Sequence, residues 1–271
     1  MNSTLYVTSF NDALFAATGS KLIHSFHERN VEGDIFIAYE NGVKIPAFDQ
    51  NNQRINNRIL YKMDHDPFLL RWLEKNADII PQKHGGKAPL CDECPNPNDN
   101  WQGHVEGCLN GTYHSRVSHW FRKIVALKAA LDFYKDDHDI IVWCDCDIVF
   151  KERLTKDFIL EVLGNHGAFY FLGPHRREVK SGVESGFMAF SKANGGYQFI
   201  TTVIDKYEDG TFRNYQRRND GYIFEKVFNE VNVPSLDLVT HGHNGMDVMN
   251  EGIFHTYFDH HKGVHWREHD V

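Results

Sequence analysis

Apolar positions along the chain recur with two periods, one suited to strands and one to helices, and the two alternate. Leu5-Tyr6-Val7-Thr8-Ser9-Phe10 is a short β-prone run closed by the turn formers Asn11-Asp12. Beyond Thr18-Gly19-Ser20, the segment Lys21-Leu22-Ile23-His24-Ser25-Phe26 carries its apolar residues at helical spacing. Asp34-Ile35-Phe36-Ile37-Ala38-Tyr39 reads as a second strand, ended by Glu40-Asn41-Gly42. Strand, helix, strand at these separations predicts a βαβ unit and a partly parallel sheet. Phe68-Leu69-Leu70-Arg71-Trp72-Leu73 predicts a further helix.

Residues 81–111 break this rhythm. They are rich in Pro, Gly, Asn and Asp and read as a long irregular insertion, set at about 81–118. Insertions of this length in a compact domain are usually functional or locally cross-linked. Over 121–134 a helix is predicted, with Ile124, Leu127, Ala130 and Leu131 on one face and Arg122, Lys123 and Lys128 off it. Ile140-Ile141-Val142-Trp143 is a continuous apolar run suited to a strand covered on both faces. It stops abruptly at Cys144-Asp145-Cys146-Asp147. Shorter strands follow near 168–172 and 187–190, and helices near 199–207 and 221–231. With no internal repeat, low-complexity tract or linker, the expectation is one domain over 1–271, its halves 1–147 and 148–271.

Composition narrows the function classes. The 271 residues are 41% hydrophobic, enough for one large α/β core. A net charge of -8 leaves no general basic field for nucleic acid or an anionic membrane. No apolar run approaches the roughly 20 residues of a membrane span. Met1-Asn2-Ser3-Thr4-Leu5-Tyr6 lacks the basic and apolar regions of a secretory signal, so a cytoplasmic location is expected. Five cysteines are an odd number and too few for a disulfide scaffold.

The residues with the most chemistry are Asp145 and Asp147. Two carboxylates one residue apart, leaving the end of a central strand, can point toward a common site. In open α/β sheets, ligands gather at the carboxyl ends of the strands. Oxygen donors of this kind suit Mn²⁺ or Mg²⁺, and such an ion could bridge the oxygens of a nucleotide diphosphate. The triplet alone is common in sequences and often merely polar. Its place directly after a doubly covered strand gives it weight, because charges there are costly unless paired or metal-bound.

With these segments in view, the chain resembles the GT-A nucleotide-diphospho-sugar transferases over nearly its whole length. The likeness rests on the ordered set: the N-terminal βαβ unit, Phe121-Arg122-Lys123-Ile124, Ile141 to Asp147, Glu184-Ser185-Gly186-Phe187, Arg218-Asn219-Asp220-Gly221 and Tyr257-Phe258-Asp259-His260-His261-Lys262-Gly263. Cys146 is an uncommon middle residue for the motif, and the Pro-Trp ending of some relatives is missing. The resemblance implies an α/β GT-A fold, Rossmann-like, with a mixed, mostly parallel sheet flanked by helices. It implies a hexosyl- or pentosyltransferase moving a sugar from a UDP- or GDP-sugar to a glycan, protein or small-molecule acceptor, with Mn²⁺ or Mg²⁺ as cofactor. It also implies Asp145, Asp147 and His260 as metal ligands, with His255 and His261 as competitors for the third place. Thr8, Phe10, Asn11, Tyr39, Lys123, Asp145, Gly186 and Lys262 are implied on the nucleotide or donor, and Glu40 at the second strand end. Asp220 is the first candidate for the catalytic base and Glu184 the second, with a helix-start charge as the plain alternative for Asp220. Gly186 would leave room for a sugar, and Arg176 and Arg177 either neutralise phosphate or decorate a solvated loop.

Cys91, Cys94, His104 and Cys108 in the insertion offer four ligands to a structural Zn²⁺, against a loop disulfide or plain thiols. Two other functional classes compete. A HAD-like phosphatase would use Asp145 as nucleophile and Asp147 as acid/base, although that motif usually opens its chain. A non-catalytic carbohydrate-binding module would account for the aromatics but has no need of the acidic and His/Lys segments.

Overall fold

The computed structural model describes residues 3–40, 43–45, 58–79, 117–178, 180–239 and 248–261. Cys91, Cys94, His104, Cys108 and Lys262 therefore lie outside the described residues.

The first strand, β1 (Thr4–Phe10), leads into a short helical turn, α1 (Asp12–Leu14). A π-helical turn, Phe15–Gly19, joins it to α2 (Ser20–Glu28). Next come β2 (Asp34–Tyr39), the half-exposed β3 (Arg58–Lys62), α3 (Pro67–Lys75) and the long α4 (Val117–Tyr134). α3 starts sharply because the Asp66 carboxylate accepts from the Phe68 and Leu69 N–H groups and Pro67 occupies the first turn. The next elements are β4 (Ile140–Cys144), β5 (Ile148–Phe150), α5 (Lys156–Leu163), β6 (Ala168–Phe171) and α6 (Gly173–Glu178). The remainder holds β7 (Glu184–Ser191), α7 (Gly196–Asp209), α8 (Asp220–Val231), β8 (Ser235–Asp237) and β9 (Phe258–His260).

Seven strands form one sheet in the order β3-β2-β1-β4-β7-β6-β8. β1, β2, β3 and β4 pair in parallel, and β6 pairs in parallel with β8. β7 alone runs against its neighbours β4 and β6. The fold is thus mixed α/β with a mostly parallel sheet flanked by helices, consistent with a GT-A-like architecture. β5 and β9 form a separate two-stranded antiparallel ribbon.

Strand alternation assigns the side chains to two cores. Leu5, Val7, Ile141, Trp143, Met188 and Phe190 pack with residues of α3, α4, α7 and α8. Tyr6, Ile140, Val142, Cys144, Phe187 and Ala189 pack with α2, α5 and the β5–β9 ribbon. Every residue of β4 is buried, as a strand covered on both faces requires. Each large apolar side chain buried in this way contributes about 1.5–3 kcal/mol relative to exposure.

The structure amends the sequence expectation for α4 in two ways. It starts at Val117, so the helix takes the last two residues assigned to the insertion. It is also buried nearly all round, and Lys123, expected off the apolar face, is inside. Among the described residues no helix is long and apolar enough to cross a membrane.

Candidate functional site

Past Trp143 the strand period puts Asp145 on the same side of the sheet, toward α4 and α8. The Asp145 N–H donates to the Gly186 carbonyl at 2.7 Å, extending the β4–β7 pairing by one residue. The Trp143 indole N–H donates to Asp145 Oδ1 at 2.6 Å, fixing the carboxylate by a bond from its own strand. The chain then turns, with the Ile148 N–H donating to the Asp145 carbonyl at 3.2 Å. β5 departs paired with β9, Ile148 opposite His260. That register brings His260 Nε2 to 3.3 Å from Asp147 Oδ1. One ligand atom from each of Asp145, Asp147 and His260 lies within 4.8 Å of the others, a group able to hold a metal ion. Asp147 Oδ1 is buried and, among the described residues, accepts no hydrogen bond.

Lys123 reaches this group from α4. Its ammonium lies 3.2 Å from Asp145 Oδ1 and 2.5 Å from Asp220 Oδ2. It also donates to the Ser185 carbonyl at 2.8 Å and Oγ at 3.0 Å, and sits 4.9 Å from the Trp143 ring centre. Ser185 Oγ in turn donates to Asp220 Oδ2 at 2.8 Å. Burial works against the Lys123 charge, but Asp145 and Asp220 outweigh it and hold the amine pKa above the usual lysine value. Burial raises the Asp145 carboxyl from its ordinary range; Lys123 pulls it down, while Asp147 and Asp220 push the same way as burial. Burial is the largest cause, and charge adds to it: Asp145 and Asp220 share the Lys123 ammonium, while Asp147 brings a further negative charge close to Asp145.

Asp220 opens α8 in the first turn, where its charge suits the helix dipole. Asn219 occupies the cap position but turns its amide to the Ser181 carbonyl at 3.0 Å. Both Asp220 oxygens are engaged, Oδ2 by Lys123 and Ser185 and Oδ1 by the Gly221 N–H at 2.8 Å. Glu184, the other acid singled out, faces elsewhere. Its carboxylate pairs with Arg176 at 3.0 Å, and Arg176 also donates to the Gly182 and Val183 carbonyls. Arg176 is buried rather than on a solvated loop, whereas the half-exposed Arg177 bonds Asp237 at 2.8 Å.

The space beside Gly186 is filled by protein. A Cβ at this position would lie 2.9 Å from Met249 Cε and 3.1 Å from His260 Nε2, so the glycine admits the imidazole. In the N-terminal half, Thr8 and Phe10 are buried in β1, and Asn11 caps α1 through the Leu14 N–H at 2.9 Å. Tyr39 is half-buried at the end of β2, and Glu40 is ion-paired with Arg122 of α4. His255 is exposed and 3.9 Å from Asp259, while the His261 N–H donates to the Asp147 carbonyl at 2.9 Å. Cys144 and Cys146 are free thiols, and Thr18 Oγ1 contacts Cys146 Sγ at 3.5 Å.

The structure therefore brings Lys123, Asp145, Asp147, Gly186, Asp220 and His260 together, with Glu184 turned away to Arg176. Sequence reading missed Trp143, Ser185 and Asn250 as supporting residues. Trp143 carried a usable signal, standing two positions before Asp145 in a strand. Asn250 carried none, since its loop has no periodicity.

No family model and no curated protein sequence matches this chain. Among solved structures, it is similar to the apo form of mouse xyloside xylosyltransferase 1 at 12% identity, covering 88% of this chain and 85% of that one, with a TM-score of 0.45. A likeness this slight carries no weight for function, which must be argued from the residues.

Proposed function

We propose that the protein is a metal-dependent glycosyltransferase that uses a nucleotide-diphosphate sugar. The observation that carries the reading is the meeting of Asp145, Asp147 and His260 at the end of the central strand, in surroundings with more negative than positive charge. The donor set fits a divalent ion. Two carboxylates and an imidazole suit Mn²⁺, with Mg²⁺ the harder alternative. The buried Asp147 Oδ1, which accepts no hydrogen bond among the described residues, is an oxygen suited to a cation. When bound, such an ion supplies positive charge to a diphosphate leaving group.

The chain's own residues would do the rest. Asp145, Asp147 and His260 hold the ion, while Trp143 and Lys123 fix the direction of Asp145. UDP- and GDP-sugars are the donor classes we favour, and a hydroxyl of a glycan, protein or small molecule is the acceptor. Of the two acids, Asp220 is our candidate to accept the acceptor's proton, because it shares Lys123 with Asp145.

The test is turnover of a panel of UDP- and GDP-sugars with MnCl₂, by wild-type protein and by Asp147→Ala. Metal-dependent donor turnover lost in the variant supports the reading. Hydrolysis of simple phosphate esters without donor turnover would overturn it.

A further inference from the structure

Antiparallel ladders alternate between residue pairs that exchange two hydrogen bonds and pairs that exchange none. The His261 N–H to Asp147 carbonyl bond places the Ile148–His260 pair in the second class. The N–H and C=O of His260 therefore point away from β5. His260 is 2% exposed, so those two groups need partners inside the protein. One side chain meets both. The Asn250 amide nitrogen donates to the His260 carbonyl at 2.8 Å, and Asn250 Oδ1 accepts from the His260 N–H at 2.7 Å. The carboxamide thus acts as a third strand for a single residue. Its neighbour Met249, fully buried, packs in the space left by Gly186, against which the His260 ring also lies.

We propose that Asn250 is a positioning residue that holds His260 in place as the third ligand of the Asp145–Asp147 site. This inference rests on the metal-site reading given above. Two hydrogen bonds to the backbone of one residue, on successive peptide units, restrain both translation along β9 and rotation about the chain axis. β9 is three residues long and, among the described residues, pairs with β5. The His261 N–H to Asp147 carbonyl bond restrains one side of its end, and the Asn250 amide restrains the side of His260 that faces away from β5. Partners that orient metal ligands typically change affinity by about 10–100-fold when removed.

The experiment is a double-mutant cycle read by the electron paramagnetic resonance signal of free Mn²⁺, with metal as the only ligand. Wild type, His260→Ala, Asn250→Ala and the double variant are titrated after circular dichroism has verified folding. Asn250→Ala is expected to weaken Mn²⁺ binding by about 10–100-fold in the wild-type background. In the His260→Ala background it should change almost nothing, because the residue acts through the imidazole. Equal losses in both backgrounds, or none, overturn the inference. A wild-type protein that binds no Mn²⁺ instead overturns the metal-site reading, and the inference with it. If the alanine variant does not fold, Asn250→Asp keeps the acceptor for the His260 N–H and replaces the donor with a carboxylate oxygen that repels the His260 carbonyl. Unchanged Mn²⁺ affinity there counts against the inference. Hydrogen exchange on metal-free wild type gives a further reading. The His260 amide should exchange slowly, and fast exchange would refute the clamp itself.

Discussion

Replacing Lys123 with methionine would leave the shape of the α4 face nearly intact and remove the cation that Asp145 and Asp220 share. The ammonium is 2.5 Å from one carboxylate and 3.2 Å from the other, with a side chain only 7% exposed. Removing one partner of a buried pair typically costs about 3–5 kcal/mol, because the remaining charge is stranded out of water. For a chain of this size about 1 kcal/mol corresponds to roughly 2–4 °C in melting temperature, so a fall of about 6–20 °C is expected. Thermal melts in EDTA provide the measurement, with metal excluded so that it cannot replace the lost charge. Adding Asp220→Asn to Lys123→Met should recover part of the loss, since it removes one stranded carboxylate. The pH dependence follows from the raised amine pKa. Stability from a raised lysine is complete below its ordinary value and is lost as pH rises through the folded value. The difference between wild type and variant should thus be flat from neutrality to about pH 10 and shrink above it. A Lys123→Met protein within about 1 kcal/mol of wild type would refute the argument that this ammonium neutralises the buried carboxylates.

Gly186→Ala should reduce Mn²⁺ affinity with little loss of folding, because the added methyl meets His260 Nε2 at 3.1 Å and the flexible end of Met249 at 2.9 Å. Calorimetry and a thermal melt separate the two effects, and unchanged affinity would show that the imbalance of space is absorbed by Met249 alone. Asp220→Asn should slow sugar transfer by about 10²–10⁴-fold if Asp220 accepts the proton, with donor affinity near wild type. Rates within a few-fold of wild type in a transfer assay would remove Asp220 from that role. His27 is held neutral by burial first, and then by Arg58 and His24, which lowers its pKa to about 4. The unfolded chain gains that proton near pH 6.5, so the contribution of His27 to stability is complete above 6.5 and is lost as pH falls toward 4. Proton resonances of the His27 ring should show no titration between pH 7 and 5; a midpoint near 6.5 contradicts the burial argument.

Much of the fold was legible along the chain because the elements that build the sheet are long enough to carry a period. β1, β2, β4 and the helices α2, α3, α7 and α8 fall within a few residues of the expected bounds. β4 could be recognised as a doubly covered strand from its unbroken apolar run, and the Asp145–Asp147 pair from its position just after it. β5, β8 and β9 could not be, since three residues complete too few cycles of a two-residue period to signal a strand. β3 was missed for a related reason, as its half-exposed residues follow no clean alternation.

The site divides in the same manner. Asp145 and Asp147 owe their nearness to positions one residue apart in the turn that leaves β4, a relation the chain states locally. The approach of His260 depends on the β5–β9 register, and that of Asp220 on where α8 packs against β7. Lys123 shows the limit most clearly. A lysine that follows Arg122 and lies off the expected apolar face of its helix reads as a surface residue, because burying an unpaired charge is prohibitive. Only the folded sheet supplies Asp145, Asp220 and Ser185, contributed by three separate segments, and with them the reason this charge can lie inside.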